Sequence, residues 1–180
     1  MGLLGLFSRK PHERAGFALY GAAVGAARQP YFFESLGVPD TLDGRFDLVS
    51  LHVCLVIRRL RRDPDARGKV LAQAVFDAMF ADMDVNLREM GVSDLAVGKR
   101  VKRMWEAFHG RAAAYEAALD AKDPACLAEA LSRNVWRGES PDGAAATLAA
   151  RAEALDLALA AMPFAPLLAG DLTLPALEGA

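Results

Sequence analysis

The sequence predicts an all-α fold with a single domain, a bundle of about six helices that includes a central antiparallel helix hairpin. Apolar side chains recur at three- and four-residue intervals, alanine is abundant, and no long stretch alternates apolar and polar residues as a half-buried strand does. Hydrophobic residues make up 53% of the 180 residues and charged residues 24%, which is typical of a globular protein rather than a disordered chain.

The N-terminal segment combines an arm with the first helix. We expect residues 1–11 to form a flexible arm, and attachment of this arm to a membrane surface is the alternative, because its leucines precede an Arg–Lys pair. A secretory signal has the reverse order of charge and apolar core, so export is not expected. A helix is predicted over residues 12–28, since Pro30 discourages its continuation.

A loop rich in glycine, proline and aspartate leads to the second helix. A short helical turn is expected over residues 31–36 and the loop over residues 37–45, where Pro39 fixes φ and Gly44 tolerates positive φ. The next helix is predicted over residues 46–62, because apolar side chains recur along one helical face. The loop is therefore expected to set the angle between the helices on either side of it.

The predicted hairpin consists of helices over residues 68–90 and 95–119. Gly91 is placed to cap the C-terminus of the first of these helices, and Asp94 is placed as the N-cap or a first-turn acid of the second. A connection this short makes the two helices antiparallel neighbours.

Two further helices are predicted near the C-terminus, over residues 125–136 and 144–162, with a loop between them. Prolines and a glycine predict an irregular tail over residues 163–180. The helical domain is thus expected to span residues 12–162.

Carboxylates cluster at the end of the helix predicted over residues 68–90, but their spacing favours no metal site. Asp84 and Arg88 are placed for a helical ion pair worth a few tenths of a kcal/mol. A di-metal bundle needs Glu-x-x-His pairs, and a calcium loop needs an Asp/Asn repeat with a terminal Glu; the sequence has neither. It also lacks a nucleophile elbow, a P-loop and a dinucleotide-binding glycine pattern, so we expect no enzymatic activity.

The cysteines and histidines form no ligand set. Cys54 and Cys126 each lie in an apolar helical segment, and both are expected to be small buried hydrophobic residues rather than zinc ligands, with a disulfide between them as the alternative. His52 is expected to be a hydrogen-bonded interior residue, and His109 to hold its helix against a neighbour.

The most informative stretches are six short motifs between residues 37 and 111. They are Gly37-Val38-Pro39-Asp40-Thr41, Gly44-Arg45-Phe46, Leu51-His52, Asp82-Met83-Asp84, Asn86-Leu87-Arg88-Glu89-Met90-Gly91 and Gly110-Arg111. In this order and spacing the chain resembles the ubiquinol–cytochrome c chaperone family, between about Gly16 and Trp136. The resemblance implies a non-enzymatic chaperone, without a cofactor, that binds newly synthesised cytochrome b and assists biogenesis of the ubiquinol–cytochrome c reductase (bc1) complex.

The resemblance also implies a client-binding surface on the loop and on the hairpin. Its candidate residues are Asp40, Thr41, Arg45, Met83, Asp84, Arg88, Glu89 and Trp105. Phe32, Phe33 and Met79 are further candidates, although at least half of the aromatic and methionine side chains are expected to belong to the core.

An alternative function is a peripheral membrane or ribosome adaptor that acts through a basic face. The candidate residues are Arg58, Arg59, Arg61, Arg62, Lys99, Arg100, Lys102 and Arg103. Such a face suits phosphate groups of RNA or anionic lipid, whereas DNA is not an expected partner. No long organelle-targeting extension is evident, so we expect a bacterial, cytoplasmic protein, with peripheral binding to the inner face of the cytoplasmic membrane as the further alternative.

A third hypothesis is a haem-handling protein, because the implied client is a haem protein. His52 or His109 would then affect a hemin complex, although nothing in the sequence specifies a haem site.

Overall fold

The structure is a computed structural model that describes residues 11–175. Eight α-helices account for most of these residues. In chain order they are α1 (Pro11–Ala27), α2 (Pro30–Glu34), α3 (Leu42–Arg61), α4 (Arg67–Glu89), α5 (Asp94–Ala121), α6 (Pro124–Val135), α7 (Ala144–Ala161) and α8 (Phe164–Ala169). Over the described range there is no strand. Six long helices with two short ones confirm the predicted all-α, single-domain bundle.

α3 lies at the centre of the bundle, where it contacts α1, α4, α5, α6 and α7. Every residue from Phe46 to Arg58 is buried. The helix starts at Leu42, earlier than predicted, because the Thr41 hydroxyl accepts a hydrogen bond from the Gly44 amide at 3.2 Å. The loop that precedes α3 is therefore fixed to the most buried helix of the protein.

α4 and α5 form the predicted antiparallel hairpin, which packs against α3. The turn between them has the predicted glycine cap: Gly91 has a φ of 79°. The amide of Val92 donates to the Leu87 carbonyl and the amide of Gly91 donates to the Arg88 carbonyl, which is the Schellman pattern. Asp94 is the first residue of α5, as predicted for a first-turn acid.

The two ends of the domain differ from the sequence prediction. The predicted arm lies outside the described residues except for Pro11, which begins α1. The expectation of an irregular tail is wrong over Phe164–Ala169, which form α8. Leu167 of α8 is buried, and Gly170 ends the helix with a φ of 84° while packing closely against α1. Tertiary contact with α1 therefore stabilises a helix too short to be evident from periodicity.

Within residues 11–175, no helix combines the length and the apolar character that crossing a membrane requires.

Candidate functional site

A groove with a volume of about 610 Å³ lies between α4 and α5, and part of α3 lines it. We call it the hairpin groove. It is lined by Cys54, Ile57, Arg61, Lys69, Ala72, Gln73, Phe76, Trp105, Phe108, His109, Ala112 and Glu116. From Trp105 to Glu116 it follows α5 for roughly 16 Å, about three helical turns. Its length therefore matches a short helical or extended segment of another polypeptide.

An aromatic cluster lines the hairpin groove. The ring of Phe76 lies 5.6 Å from that of Phe108 and 5.4 Å from that of His109, in edge-on geometry. Trp105 packs on His109 with 4.0 Å between the ring centroids, yet 46% of Trp105 is exposed. Ring contacts of this kind hold the cluster in a defined arrangement. Trp105 thus presents apolar surface to solvent from a rigid helix.

Charged and polar side chains surround the aromatic part of the groove. Arg61 of α3 lies 3.9 Å from Glu116 of α5, and Lys69 and Gln73 of α4 are exposed. The rim therefore carries two basic side chains and one acidic side chain. An apolar centre with a polar rim is the usual composition of a protein-binding surface.

A second groove, of about 380 Å³, lies where the start of α3 meets the end of α4 and the start of α5. We call it the loop groove. Leu42, Phe46, Leu87 and Met104 supply its apolar surface, and Asp43, Arg100 and Arg103 supply its charges. It brings together the two segments of the chain that hold most of the motifs quoted above.

A buried ion-pair network lies beside the loop groove. Asp47 of α3 is fully buried, and its carboxylate contacts a guanidinium nitrogen of Arg111 at 2.6 Å and one of Arg137 at 2.9 Å. Burial raises the pKa of Asp47, and the two arginines offset part of that effect. The Arg111 guanidinium also lies over the Phe46 ring, 5.5 Å from its centroid. The network ties α3, α5 and the segment after α6 to one another.

The predicted loop residues lie outside both grooves. Arg45 donates two hydrogen bonds to Asp40, at 2.6 and 3.1 Å, and this interaction lowers the pKa of Asp40. Both side chains are about half exposed, and Thr41 caps α3. Each of the three has a role in holding the loop, and their contact with a client stays a prediction.

The predicted residues at the hairpin turn form an exposed brace. Arg88 donates to Asp84 at 2.6 Å, which confirms that ion pair, and it also contacts Asp94 across the turn. Glu89 is exposed, and Met83 is partly buried against the core. Of the eight predicted client-binding residues, Trp105 alone lines the hairpin groove.

The expectation of one basic face is wrong for the arginines of α3. Only 4% of the Arg58 side chain is exposed, and its guanidinium contacts Asp120 at 2.7 Å and Asp156 at 3.1 Å. Arg59 donates to the carbonyl oxygens of Leu159 and Met162. Both arginines therefore connect helices instead of facing solvent.

Arg61 and Arg62 are exposed, but they lie beside the far end of α5. Arg61 faces Glu116, and Arg62 is hydrogen-bonded to Asp120. Between Arg103 and Glu116 the rise of a helix is roughly 20 Å, so these arginines and the basic run of α5 are separate surfaces. That run consists of Lys99, Arg100, Lys102 and Arg103, all exposed.

The histidines and cysteines lie apart from one another. His52 is 6% exposed, and its Nδ1 lies 2.8 Å from the Leu48 carbonyl, as predicted for an interior residue. His109 is exposed on α5 and packs on Phe76, across the hairpin. Cys54 is buried, whereas the prediction of a buried Cys126 is wrong, since it lies exposed in the first turn of α6. In residues 11–175 no three His, Cys, Asp or Glu side chains are grouped as a metal site.

Several groove and network residues were not selected from the sequence. Phe76 and Phe108 lie in the helices predicted over residues 68–90 and 95–119, but periodicity does not tell which side of an apolar helical face borders an open groove. Asp47 could have been noticed as an acid within an otherwise apolar helical run. Phe32 and Met79, by contrast, are fully core residues.

Comparison with known proteins gives consistent matches. The sequence model of the family described as Ubiquinol-cytochrome C chaperone matches residues 34–174. A protein of Xenopus laevis named ubiquinol-cytochrome-c reductase complex assembly factor 1 is 27% identical over 128 residues, which is 71% of this chain and 63% of that protein. Protein CBP3, mitochondrial, of Saccharomyces cerevisiae is 30% identical over 110 residues, which is 60% of this chain and 32% of that protein. The chain thus spans between about a third and two thirds of the length of these relatives.

A solved structure is similar over almost the whole chain. The crystal structure of the Cbp3 homolog from Brucella abortus has 37% sequence identity and a TM-score of 0.80, covering 96% of each chain. The resemblance found in the motifs is therefore confirmed by both sequence and fold.

Proposed function

The chain belongs to the ubiquinol–cytochrome c chaperone family, and from that premise we propose that it assists assembly of the bc1 complex by binding newly synthesised cytochrome b. The relative named as a reductase complex assembly factor supports a role in assembly of the bc1 complex, and the choice of cytochrome b as client rests on the resemblance. The protein acts without enzymatic chemistry: it covers apolar surface of the client until partner subunits replace it.

The hairpin groove is the surface we assign to the client. The observation that carries this assignment is Trp105, which is 46% exposed on a rigid aromatic cluster inside a groove about three turns long. Tryptophan is enriched among the residues that contribute most to binding, because its large apolar ring is buried on association. The client segment is apolar, and the two basic side chains on the rim favour acidic residues beside it.

Release requires that the complex be reversible. Trp105 is 46% exposed within the groove and the rim is polar, so a bound client segment stays partly in contact with water. Competition by the partner subunits of cytochrome b is then sufficient to displace the chaperone.

Purification of tagged variants from a cell that makes the bc1 complex tests the proposal. Trp105→Ala should reduce recovered cytochrome b by about tenfold or more, because truncation of a central tryptophan typically costs at least 2 kcal/mol. Leu157→Ala is the matched control, since Leu157 is a large apolar residue, 72% exposed, on α7. The proposal fails if both variants retain cytochrome b, or if deleting the gene leaves bc1 complex and cytochrome b levels unchanged.

A second candidate function is an adaptor for the ribosome or for an anionic membrane. The observation that favours it is the exposed run Lys99, Arg100, Lys102 and Arg103. Among residues 11–175, only Lys102 of this run has a carboxylate within 4.0 Å, that of Glu106 at 3.9 Å. Such a run is attracted to phosphate groups, and the attraction weakens with salt. A cytoplasmic protein would then act at the inner face of the membrane.

Reversing the four charges to Glu should abolish sedimentation with ribosomes or with vesicles that contain anionic lipid. Neutral vesicles are the control for non-specific adsorption. Unchanged sedimentation of the reversed variant would contradict this function without affecting the client-binding proposal.

A further inference from the structure

A small cavity lies on the side of α3 that faces α7, away from the hairpin groove. Its volume is about 140 Å³, and its surface is mainly apolar, with Leu51 and Leu55 of α3 and Leu148 of α7 among its walls. We call it the α7 cavity. An apolar cavity of roughly 150 Å³ accommodates benzene, so the space suits one six-membered ring.

His52 gives the α7 cavity a buried hydrogen-bond acceptor. The side chain lines the cavity and is 6% exposed, and Nδ1 lies 2.8 Å from the carbonyl oxygen of Leu48. A carbonyl accepts, so Nδ1 carries the hydrogen, and Nε2 keeps its lone pair in the neutral ring. Burial lowers the pKa of His52, which keeps the ring neutral near pH 7.

The orientation of His52 is fixed by its neighbours. The Phe32 ring lies edge-on to the imidazole, 5.5 Å between centroids, while Leu48 holds Nδ1. The Nε2 acceptor therefore has a defined orientation rather than that of a freely rotating side chain.

Arg151 adds a positive charge to the wall of the same cavity. Its guanidinium lies 4.1 Å from the centroid of the Tyr31 ring, and its Nε is buried without a hydrogen-bond partner. Over the described range, no carboxylate lies within 4.0 Å of the Arg151 nitrogens. Arg58 of α3, by contrast, pairs with two carboxylates, those of Asp120 and Asp156. A cation placed beside apolar surface without an acidic partner favours an anionic ligand.

One ligand chemistry satisfies all three features. We propose that the α7 cavity binds a monocyclic aromatic hydroxy acid, whose ring fills the apolar space, whose carboxylate pairs with Arg151, and whose hydroxyl group donates to Nε2 of His52. The site is distinct from the client groove, because the two cavities share no lining residue. A bound acid would bridge α3 and α7 and so stabilise the folded chain.

Isothermal titration of the full chain with 3- and 4-hydroxybenzoate tests the site, with benzoate and phenol as ligands that lack one polar group each. Arg151→Gln removes the cation, and His52→Phe removes the acceptor while keeping an aromatic ring. Arg133→Gln is the control, since Arg133 is an exposed arginine of α6 paired with Glu129. Cooperative thermal unfolding checks that each variant is folded.

The expected result is saturable binding of a hydroxybenzoate that Arg151→Gln weakens by about tenfold or more and Arg133→Gln leaves unchanged. Benzoate should bind to the native chain about tenfold more weakly than the hydroxybenzoate does. The His52→Phe variant should bind benzoate and the hydroxybenzoate equally well, because it lacks the acceptor for the hydroxyl group. Absence of saturable binding, undiminished binding by Arg151→Gln, or equal binding of benzoate by the native chain would overturn the proposal. If His52→Phe does not fold, the Arg151→Gln result and the native preference for hydroxyl decide it.

Discussion

The buried network around Asp47 predicts a large, pH-dependent effect of a single substitution. In Arg111→Met a side chain of similar length loses the guanidinium that lies 2.6 Å from the Asp47 carboxylate. Leaving a buried charge unpaired typically costs about 3–5 kcal/mol. Arg137 remains 2.9 Å from the same carboxylate, but 52% of its side chain is exposed, so it supplies a solvent-screened partner. We therefore expect a loss of about 2–3 kcal/mol in the free energy of unfolding at pH 7.

Urea denaturation at a series of pH values measures this loss. Burial already raises the pKa of Asp47 above its ordinary value of 3.8, and removal of Arg111 should raise it further. A carboxyl whose folded pKa is raised destabilises the fold when it is ionised, above that pKa. The difference in the free energy of unfolding between variant and native protein should be complete above the pKa of Asp47 in the folded variant. It should disappear as the pH falls toward 3.8, because Asp47 is then protonated in both proteins.

The matched control is Arg133→Met, which breaks an exposed pair with Glu129 and should cost less than about 1 kcal/mol. A loss below about 1 kcal/mol for Arg111→Met at pH 7 would refute the assignment of Asp47 as a charge held by Arg111. A loss that grows as the pH falls would refute the sign of the linkage.

Two other features give direct tests. Ellman's reagent should modify one thiol per folded chain, because Cys126 is exposed while Cys54 is buried with its pKa raised to about 12; two reactive thiols before unfolding would contradict this. Gly44→Ala should lower the free energy of unfolding by about 2–4 kcal/mol, because a Cβ there would lie 2.0 Å from the Pro39 carbonyl oxygen. Gly98→Ala, in open space on α5, should be neutral or stabilising by up to about 1 kcal/mol, so equal melting temperatures for the two variants would contradict the close packing at Gly44.

Local features of the fold were predictable from the sequence because their physical causes are local. Gly91 and Asp94 defined the turn between α4 and α5 through backbone conformation and helix-terminus chemistry. The Asp84–Arg88 pair follows from its spacing within one helix. The buried position of His52 was predictable because apolar residues lie on either side of it in the helix.

Other features depend on contacts between distant parts of the chain. The prediction that Arg58 lies on the surface is wrong because its two partners are distant in the sequence. Asp120 lies on α5 and Asp156 lies near the end of α7. α8 was missed because packing against α1 stabilises it. The grooves depend on the distances between helices, which periodicity within one helix does not determine. Trp105 was selected because it is a large aromatic residue, although its exposure within a groove became evident only from the fold.

Site-specific photo-crosslinking during synthesis of cytochrome b tests whether the hairpin groove contacts this client. A photoreactive amino acid at position 105 is compared with the same amino acid at position 157, which is also exposed but lies on α7. We expect position 105 to crosslink to newly made cytochrome b before cytochrome b joins the bc1 complex, and position 157 not to do so. Equal crosslinking at both positions, or no cytochrome b at position 105, would contradict the assignment of the hairpin groove to this client.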